Sequence, residues 1–482
     1  MIKDLIAKLV IPKNTSYCYT PKKPIKPSKK YPYGGYKVKH CPFHCYRFNK
    51  EYNCRMEYCK YLEDFLSVQD DVKDCCINDD WGDKMKDLKI FTDDVEQEAV
   101  NQINELLDQG AFKDSKIRIM PDVHAGKGCV IGFTGNLGDK VIPNIVGVDI
   151  GCGMLCVELG NIDLNLERLD KIIREYVPSG FEVHDERKYK FLELQDLKCY
   201  RELKDTKRLE RSIGTLGGGN HFIEIDIDED NNKYLVIHTG SRNLGKQVAE
   251  YYQELANQLC NYNIGEYKEK QQELIKKYKE QGRKQEIQSA LMELKEKYKT
   301  DHKKIPKDLA YLEEQYREDY LHDMKICQEF ASRNRREIAF VIMSKMNLDC
   351  INYFETIHNY ISFEDNIVRK GAISAKKGEK VLIPMNMRDG CIIGIGKGND
   401  DWNQSAPHGA GRIMSRMKAK ETFNLDEYKE SMKDIYTTSV NENTIDEAPF
   451  VYKPMQEIID NISDTVNIIK IIKPIYNFKA SD

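Results

Sequence analysis

The sequence contains no run of about 18 or more apolar residues, the length an α-helix needs to span a bilayer. Its first residues, MIKDLIAKLVIPKN, also lack the long apolar core and small-residue cleavage site of a secretory leader. A membrane role is therefore not expected, and a cytoplasmic location is. No dominant charge sign is present either: 74 basic residues face 78 acidic ones, for a net charge of -4. Whole-molecule attraction to a polyanion is thus not announced, although a local basic patch could still bind one, because charges farther apart than roughly 10 Å are screened at physiological salt. There is no internal repeat at a fixed period and no extended low-complexity tract, which excludes solenoid and array architectures. Cysteine, by contrast, is not scarce. The 15 cysteines are odd in number and spread along the chain, which suits reduced thiols better than a secreted disulfide framework.

What is present is enough to bury a large interior: 482 residues, 40% of them hydrophobic, suit one large domain with appendages or two domains. Residues 1–85 differ in texture from the rest, with a basic, proline-containing stretch, TPKKPIKPSKKYPYGGYK, and a concentration of cysteines. They are read as an N-terminal extension to a catalytic domain over 86–482. In that domain VEQEAVNQINELLDQGAF has helical spacing, whereas IRIMPDV, CVIGFTG and VIPNIVGVDIGCGMLCVEL read as short buried strands punctuated by glycine turns. The Glu-, Lys-, Gln- and Leu-rich segment over about 264–305 predicts an inserted helical hairpin with Gly282 near its turn, and DLAYLEEQYREDYLHDMKICQEFASRNRREIAFVIMSKM continues as amphipathic helix.

Of ten histidines, five (His124, His221, His238, His358 and His408) sit in or beside glycine-rich, turn-like segments. In GVDIGCGM, Asp149 and Cys152 are separated by a glycine that lets a turn aim carboxylate and thiolate at one point. Alone, that pair is equally a buried aspartate accepting turn hydrogen bonds beside a core cysteine. In GTLGGGNHFIEI, Asn220 and His221 follow three glycines in a loop able to face an anion. In VIHTGSRNLG, His238 ends a strand-like run and Arg242 offers a guanidinium fork for phosphate. Singly each histidine could be a ligand or a hydrogen-bonded structural residue. With His358 in TIHNY, the group becomes a mixed oxygen, sulfur and nitrogen set large enough for two metal ions. Paired metals serve phosphoryl and nucleotidyl transfer, and a thiolate ligand favours manganese, zinc, iron or cobalt over magnesium. His408, between a proline and Gly409-Ala410-Gly411 in SAPHGAGRIMSR, is placed to be a covalent nucleophile or a further metal ligand, with Arg412 at hand for phosphate.

These segments resemble the RtcB family of RNA ligases. MPDVHAGKGCVIGFT, NIVGVDIGCGM, GGGNHFIEI, HTGSRNLG, RKGAISA and SAPHGAGRIMSR follow the motifs of that family in order, and DEAPFVYK with PIYNFKA is similar to its C-terminal end. The resemblance implies an α+β fold with stacked sheets around a central metal cleft, outer helices and the inserted hairpin. It implies a GTP- and manganese-dependent ligase that joins an RNA 3′-phosphate or 2′,3′-cyclic phosphate to a 5′-hydroxyl, in RNA repair or tRNA splicing, with an accessory activator as a further candidate partner. By the same resemblance His408 carries GMP as a phosphoramidate, with Asn220 assisting. One ion takes Asp149, Cys152 and His221, and the second Cys152, His238 and His358. The guanylate falls to Asn220, His221, Phe222, Ile223, Glu224, His358, Asn359, Pro384, Met385, Asn386, Met387, Cys391, His408, Gly409, Ala410, Gly411 and Lys479. Asp122, His124, Arg242 and Arg412 are expected at RNA or phosphate.

The sequence departs from the family at Pro384-Met385-Asn386-Met387, where a Pro-Gly-Ser-Met turn is usual, and at HTGSRN, where HSGSRG is usual. Base selectivity is the property these changes bear on. Outside the family core, Cys41, Cys45, Cys54 and Cys59 make a C-x3-C-x8-C-x4-C spacing that either holds a structural zinc or leaves buried thiols. Two rival readings account for part of the pattern: a non-catalytic RNA- or nucleotide-binding paralogue, and a metal-dependent phosphoesterase, which leaves the SAPHGAG segment without a role.

Overall fold

The computed structural model describes residues 87–112, 114–262, 264–297 and 305–480, together with three short strands nearer the N-terminus. The chain divides into two compact units, Met1–Lys86 and Asp87–Asp482. In the first, β1 (Pro24–Ile25), β2 (Gly35–Val38) and β3 (Tyr52–Cys54) form a three-stranded antiparallel sheet. Cys54 is described only as backbone of β3, and Cys41, Cys45 and Cys59 lie outside the described residues, as does the zinc reading that rests on them.

The second unit mixes helix and sheet. Its smaller main sheet has five strands, β4 (Leu88–Ile90), β5 (Ile117–His124), β6 (Ile131–Asn136), β11 (Asn359–Ile361) and β12 (Ile367–Lys370), in the order β11-β12-β6-β5-β4. The larger one is built from β7 (Gly153–Gly160), β8 (Phe222–Ile227), β9 (Lys233–Thr239), β10 (Asn352–Ile357), β14 (Lys380–Asn386), β15 (Gly390–Gly396) and β18 (Val466–Lys479), in the order β10-β7-β9-β8-β18-β15-β14. A short β17 (Tyr436–Thr437) adds to β18 in parallel. The terminal strands β10 and β14 approach one another, so this sheet is curled toward a barrel. Between the two sheets, β13 (Ala372–Ser374) pairs with β16 (Ser405–Pro407), and these pack on β6 and β5.

Alternation along the strands sends side chains to two different cores. Leu155, Val157, Ile223, Ile225, Leu235 and Ile237 face outward onto helices α3 (Leu166–Tyr176) and α8 (Glu314–Met346). Met154, Cys156, Phe222, Val236, Leu382 and Cys391 face the inside of the curl. Helix α1 (Gln97–Leu107) forms where VEQEAVNQ has helical spacing and buries Ala99, Ile103, Leu106 and Leu107. The short α2 (Pro143–Val146) and α4 (Thr206–Glu210) precede the long α5 (Arg242–Asn261). The Glu- and Lys-rich segment folds as α6 (Ile264–Glu280) and α7 (Ile287–Lys297), which pack on each other, and Gly282 between them adopts φ +75°, a conformation natural only to glycine.

Helix α8 is not the simple amphipathic element its sequence suggests. It begins at Glu314, later than expected, because the preceding residues form a single tight turn over Lys307–Leu309 and an extended stretch. It also buries polar residues, Asp323, Asn334 and Arg335, alongside its apolar ones. Those residues hold the loops of the site.

Candidate active site

The site lies where strand ends meet. Gly153 opens β7 directly after Cys152, Phe222 opens β8 directly after His221, and His238 is near the end of β9. In register, His238 stands opposite both Met154 and Phe222, and Gly153 stands opposite Ile357, which precedes His358. Four separate sequence motifs are thereby delivered to one sheet end. The His358 backbone N–H donates to the Cys152 carbonyl at 2.9 Å, which ties the last of these loops to the first.

The donor atoms converge. Cys152 Sγ is 3.5 Å from His221 Nε2 and 3.3 Å from His238 Nε2; His238 Nε2 is 3.4 Å from His358 Nε2; and His221 Nε2 is 3.0 Å from Asp149 Oδ2. They fall into two groups that share the thiol, Asp149–Cys152–His221 and Cys152–His238–His358. Backbone carbonyls set the ring orientation: His221 Nδ1 lies 2.9 Å from the Leu216 oxygen and His238 Nδ1 lies 3.1 Å from that of Asn220. With Nδ1–H donating in each, the Nε2 lone pairs point toward Cys152, the outer-shell arrangement of metal-ligating histidines.

Electrostatics agree with a cation at this place. Burial, then His221, holds His238 well below the usual histidine range, and burial, then His408, does the same for His358, which favours neutral rings able to ligate a metal. Burial works to raise the Asp149 pKa, but the hydrogen bond and charge of His221, with Cys152 and Arg242, together outweigh it and hold the carboxyl below its usual range. Burial, reinforced by Asp149, pushes the Cys152 thiol well up, so a thiolate there requires a positive ion. The donor set fits a transition metal, and its geometry offers two positions bridged by sulfur.

Two glycines and two buried polar side chains shape the loops. Gly151 has φ +75° and lies so close to α8 that a Cβ would come within 2.9 Å of Gln328 Cα, while a Cβ on Gly240 would meet Asp149 Oδ1 at 2.2 Å. Arg335 on α8, fully buried, donates through one nitrogen to the carbonyls of Gly151 and Thr239, both at 2.8 Å. Asn334 accepts the N–H groups of Gly214 and Thr215 and donates to the Thr215 and Gly240 carbonyls. One helix thus braces the three loops that present Cys152, His221 and His238. Sequence reasoning missed both residues, because SRNRRE is one of several polar strings in a helix that reads as amphipathic.

His408 follows β16 and faces the same cleft, its ring centroid 4.8 Å from that of His358. Fully buried Asp122 accepts its Nδ1–H at 2.7 Å and its backbone N–H at 3.1 Å. With Nδ1 donating, Nε2 keeps the lone pair. The side chain is 19% exposed, so the ring is reachable. Gly411, φ +76°, allows this approach, since a Cβ there would lie 2.7 Å from the Asp122 carbonyl oxygen.

A cleft of about 260 Å³ extends from this point. Its walls include His124, Asn220, Phe222, Glu224, His238, His358, the Pro384–Met387 turn, His408–Gly411, Arg412 and Lys479. Other expected contacts stand elsewhere: His221 among the metal donors, Ile223 in the outer core, Cys391 inside the curl, and Asn359 bracing the loops through the Asp149 carbonyl and the Gly371 N–H. Arg242 is engaged by the Gly180 carbonyl and Thr215 Oγ1 and adds positive potential at Asp149, without lining the cleft. Arg416, Glu447 and Tyr452 line it as well. Glu447 and Tyr452 belong to DEAPFVYK, a segment for which sequence reasoning had assigned no chemistry. Burial would raise the Glu447 pKa, but Lys479, Arg416 and Arg412 together bring it to about 2. Lys479 Nζ is 2.7 Å and the Tyr452 hydroxyl 2.6 Å from the carboxylate.

Two donor groups that share a thiol, beside a carboxylate-oriented imidazole, make a site able to hold metal ions and suited to phosphate chemistry. Comparison with known proteins sets its place. The family model described as tRNA-splicing ligase RtcB matches residues 109–202 and 194–480, and the chain belongs to the RtcB family of RNA ligases. It is similar to the RNA-splicing ligase RtcB of Escherichia coli K12, 31% identical over 405 residues that cover 76% of this chain and 90% of that protein. The tRNA-splicing ligases RtcB of Nanoarchaeum equitans and Archaeoglobus fulgidus are each 25% identical, covering 73% and 76% of this chain and 85% and 87% of their own. Among the described residues, no helix is long and apolar enough to cross a membrane.

Proposed function

We propose that the protein seals broken RNA, joining a 3′-phosphate end, or a 2′,3′-cyclic phosphate end after its hydrolysis, to a 5′-hydroxyl at the expense of GTP, with two manganese ions. The substrates implied are tRNA halves or other cleaved RNAs. The observation that carries the reading is the Asp122–His408 pair beside the two shared-thiol donor groups in one open cleft.

His408 Nε2 attacks the α-phosphorus of GTP, forming an N–P bond and releasing pyrophosphate. Asp122 keeps the proton on Nδ1 and stabilises the charge that develops on the ring. The RNA 3′-phosphate oxygen then takes GMP from His408, and attack by the 5′-hydroxyl on that activated phosphorus expels GMP and closes the phosphodiester. A phosphate monoester is a poor electrophile, and the attached guanylate supplies its leaving group. Asp149, Cys152 and His221 would hold one ion and Cys152, His238 and His358 the other, with neutralisation of phosphate charge as their contribution. Asn220 lines the cleft and would meet the nucleotide phosphate; Phe222, Glu224, the Pro384–Met387 turn and Lys479, which line it too, would take the base and ribose. Arg412 and Arg416 at the cleft, with His124, suit the phosphates of the incoming RNA, while Arg242 acts by bracing the Gly217 loop.

The test is incubation with α-labelled GTP and manganese. A protein-bound, acid-labile GMP that His408→Ala abolishes is expected, together with strand joining. Label released only as free GDP or GMP, with none on the protein, would assign hydrolysis instead, and retention of label by His408→Ala would refute the assigned nucleophile.

A further inference from the structure

The inside of the curled sheet holds an unusual set of polar groups. Glu224 and Asp226, two residues apart on β8, project to the same face. Cys391 reaches the same interior from β15, and Asn477, directly across from Glu224 in the β8–β18 register, stands beside them. The ligand atoms of Glu224, Asp226 and Cys391 all lie within 4.8 Å of one another. The surroundings are apolar, with Met154, Cys156, Val236 and Leu382 close by in the core, and exposure is 2% for Glu224 and 0% for Asp226, Cys391 and Asn477.

Such a cluster is costly without compensation, because two carboxylates have left water for a greasy interior. Among the described residues, no N–H or O–H donor reaches either oxygen of Asp226. The one neighbour that favours its charge is the Cys391 thiol, and burial together with Glu224 drives its pKa well up. Glu224 is better served, receiving Asn477 Nδ2 at 2.6 Å, yet burial still raises it to about 8. The amide oxygen Oδ1 of Asn477 has no partner either. A proton shared by the two carboxyls would cancel one charge and leave the thiol and the amide oxygen unused. A divalent cation would employ both carboxylates and the thiol.

We propose that Glu224, Asp226 and Cys391, with the amide oxygen of Asn477 beside them, form a third metal site inside the barrel, separate from the pair around Cys152, that takes a divalent transition ion such as zinc. Two carboxylates and a thiolate are oxygen and sulfur donors of the borderline kind such ions prefer. Binding releases the thiol proton, and any carboxyl proton, to solvent. Glu224 also lines the nucleotide cleft, so the ion would fix the floor of that cleft from behind. The proposed site shares Glu224 with the nucleotide cleft of the ligase reading but uses neither His408 nor any donor at Cys152, and its test does not depend on that reading.

Cobalt(II) titration of the metal-stripped full chain tests it. In a Cys152→Ser background the sulfur of the paired site is gone, so thiolate-to-cobalt absorbance that persists there and falls in Cys152→Ser/Cys391→Ser reports Cys391. Any contribution from the N-terminal cysteines is common to both proteins and cancels. The expected result is loss of that increment with one fewer cobalt bound per chain. Asp226→Asn, nearly isosteric, is expected to lose the same ion in the same background with an unchanged circular dichroism spectrum, and it decides the matter should the cysteine variant fail to fold. Equal ion counts and superimposable spectra with and without Asp226→Asn would overturn the third site. The guanylate adduct at His408 is measured separately, so failure of one reading is distinguishable from failure of the other.

Discussion

The two halves of the cleft are built on different principles. On the metal side, Cys152, His221, His238 and His358 lie at strand ends and are locked by backbone carbonyls and by Arg335 and Asn334 from one helix. On the opposite side, around Met385, Asn386, Glu447 and Lys479, side chains hold side chains: Lys479, Arg412, Arg416 and Tyr452 all converge on Glu447. In the first half the loops that carry the donor atoms depend on a glycine-tight backbone at Gly151 and Gly240. The second is held by paired charges, and the Pro384–Met387 departure from the family turn lies there, while the HTGSRN change lies on the first side. One side of the cleft is thus fixed by backbone geometry and the other by an ion-pair network.

His408 sits at the boundary, and Asp122→Asn is the sharpest way to break it. A carboxamide can place its NH2 toward Nδ1, which forces the ring into the tautomer whose Nε2 carries hydrogen and has no lone pair to attack with. Adduct formation is expected to fall by roughly 10²- to 10⁴-fold, with manganese stoichiometry unchanged, as read by labelled GMP transfer and elemental analysis. A rate within a few-fold of wild type would remove Asp122 from the mechanism. Next in size is Arg335→Met, which keeps the bulk of the side chain but strips the Gly151 and Thr239 carbonyls of their donor. Unfolding stability is expected to drop by about 3 kcal/mol by denaturant titration, with metal affinity falling alongside.

How far the site was legible follows the same division. Asp149, Cys152, His221, His238, His358 and His408 stood out in the sequence because metal ligation and nucleophilic attack demand particular atoms, and because glycines flank them. Their convergence at one sheet end depends on register, His238 opposite both Met154 and Phe222, which no local pattern encodes. Arg335 and Glu447 were invisible for another reason: an arginine in a long helix and a glutamate in a turn are ordinary until tertiary contact buries them. Helix α1 and the short strands were readable from periodicity, whereas the curl that brings β10 to β14 is a property of the whole sheet. The carboxylates of Glu224 and Asp226 lie on a strand that is covered on both sides, a burial that their place in the sequence does not reveal.

On the ion-paired side, Glu447 gives a pH signature. Its folded-state pKa of about 2 lies below the ordinary 4.5, so the stability it contributes is complete above about pH 4.5 and is lost as pH falls toward 2. The difference corresponds to about 3 kcal/mol, undiminished by solvent because the carboxylate is 2% exposed. Glu447→Gln should therefore lower stability near neutrality by an amount of that order and flatten the acid limb between pH 4.5 and 2. A variant whose acid denaturation curve keeps the wild-type slope would show that Lys479, Arg412 and Arg416 find other partners.

The smallest effect is expected at Asn386, and it separates the two halves most cleanly. Its Oδ1 accepts the backbone N–H groups of Arg388 and Asp389, at 3.0 and 2.9 Å, while Nδ2 donates to the Asp389 carboxylate at 2.8 Å. The side chain is thus spent on shaping its own turn, which explains how a turn that lacks the family's small residues still closes over the cleft beside Met385 and Met387. Asn386→Ala removes those bonds at about 1 kcal/mol, equivalent to roughly a five-fold weaker affinity for GTP. The rate of adduct formation at saturating nucleotide should not change, since Cys152, Asp122 and His408 are untouched. A fall in that saturated rate, with affinity preserved, would mean that the turn acts on the chemistry itself and that the two halves are mechanically coupled through Gly409, whose Cα faces the Pro384 carbonyl closely enough for a Cβ to come within 3.2 Å.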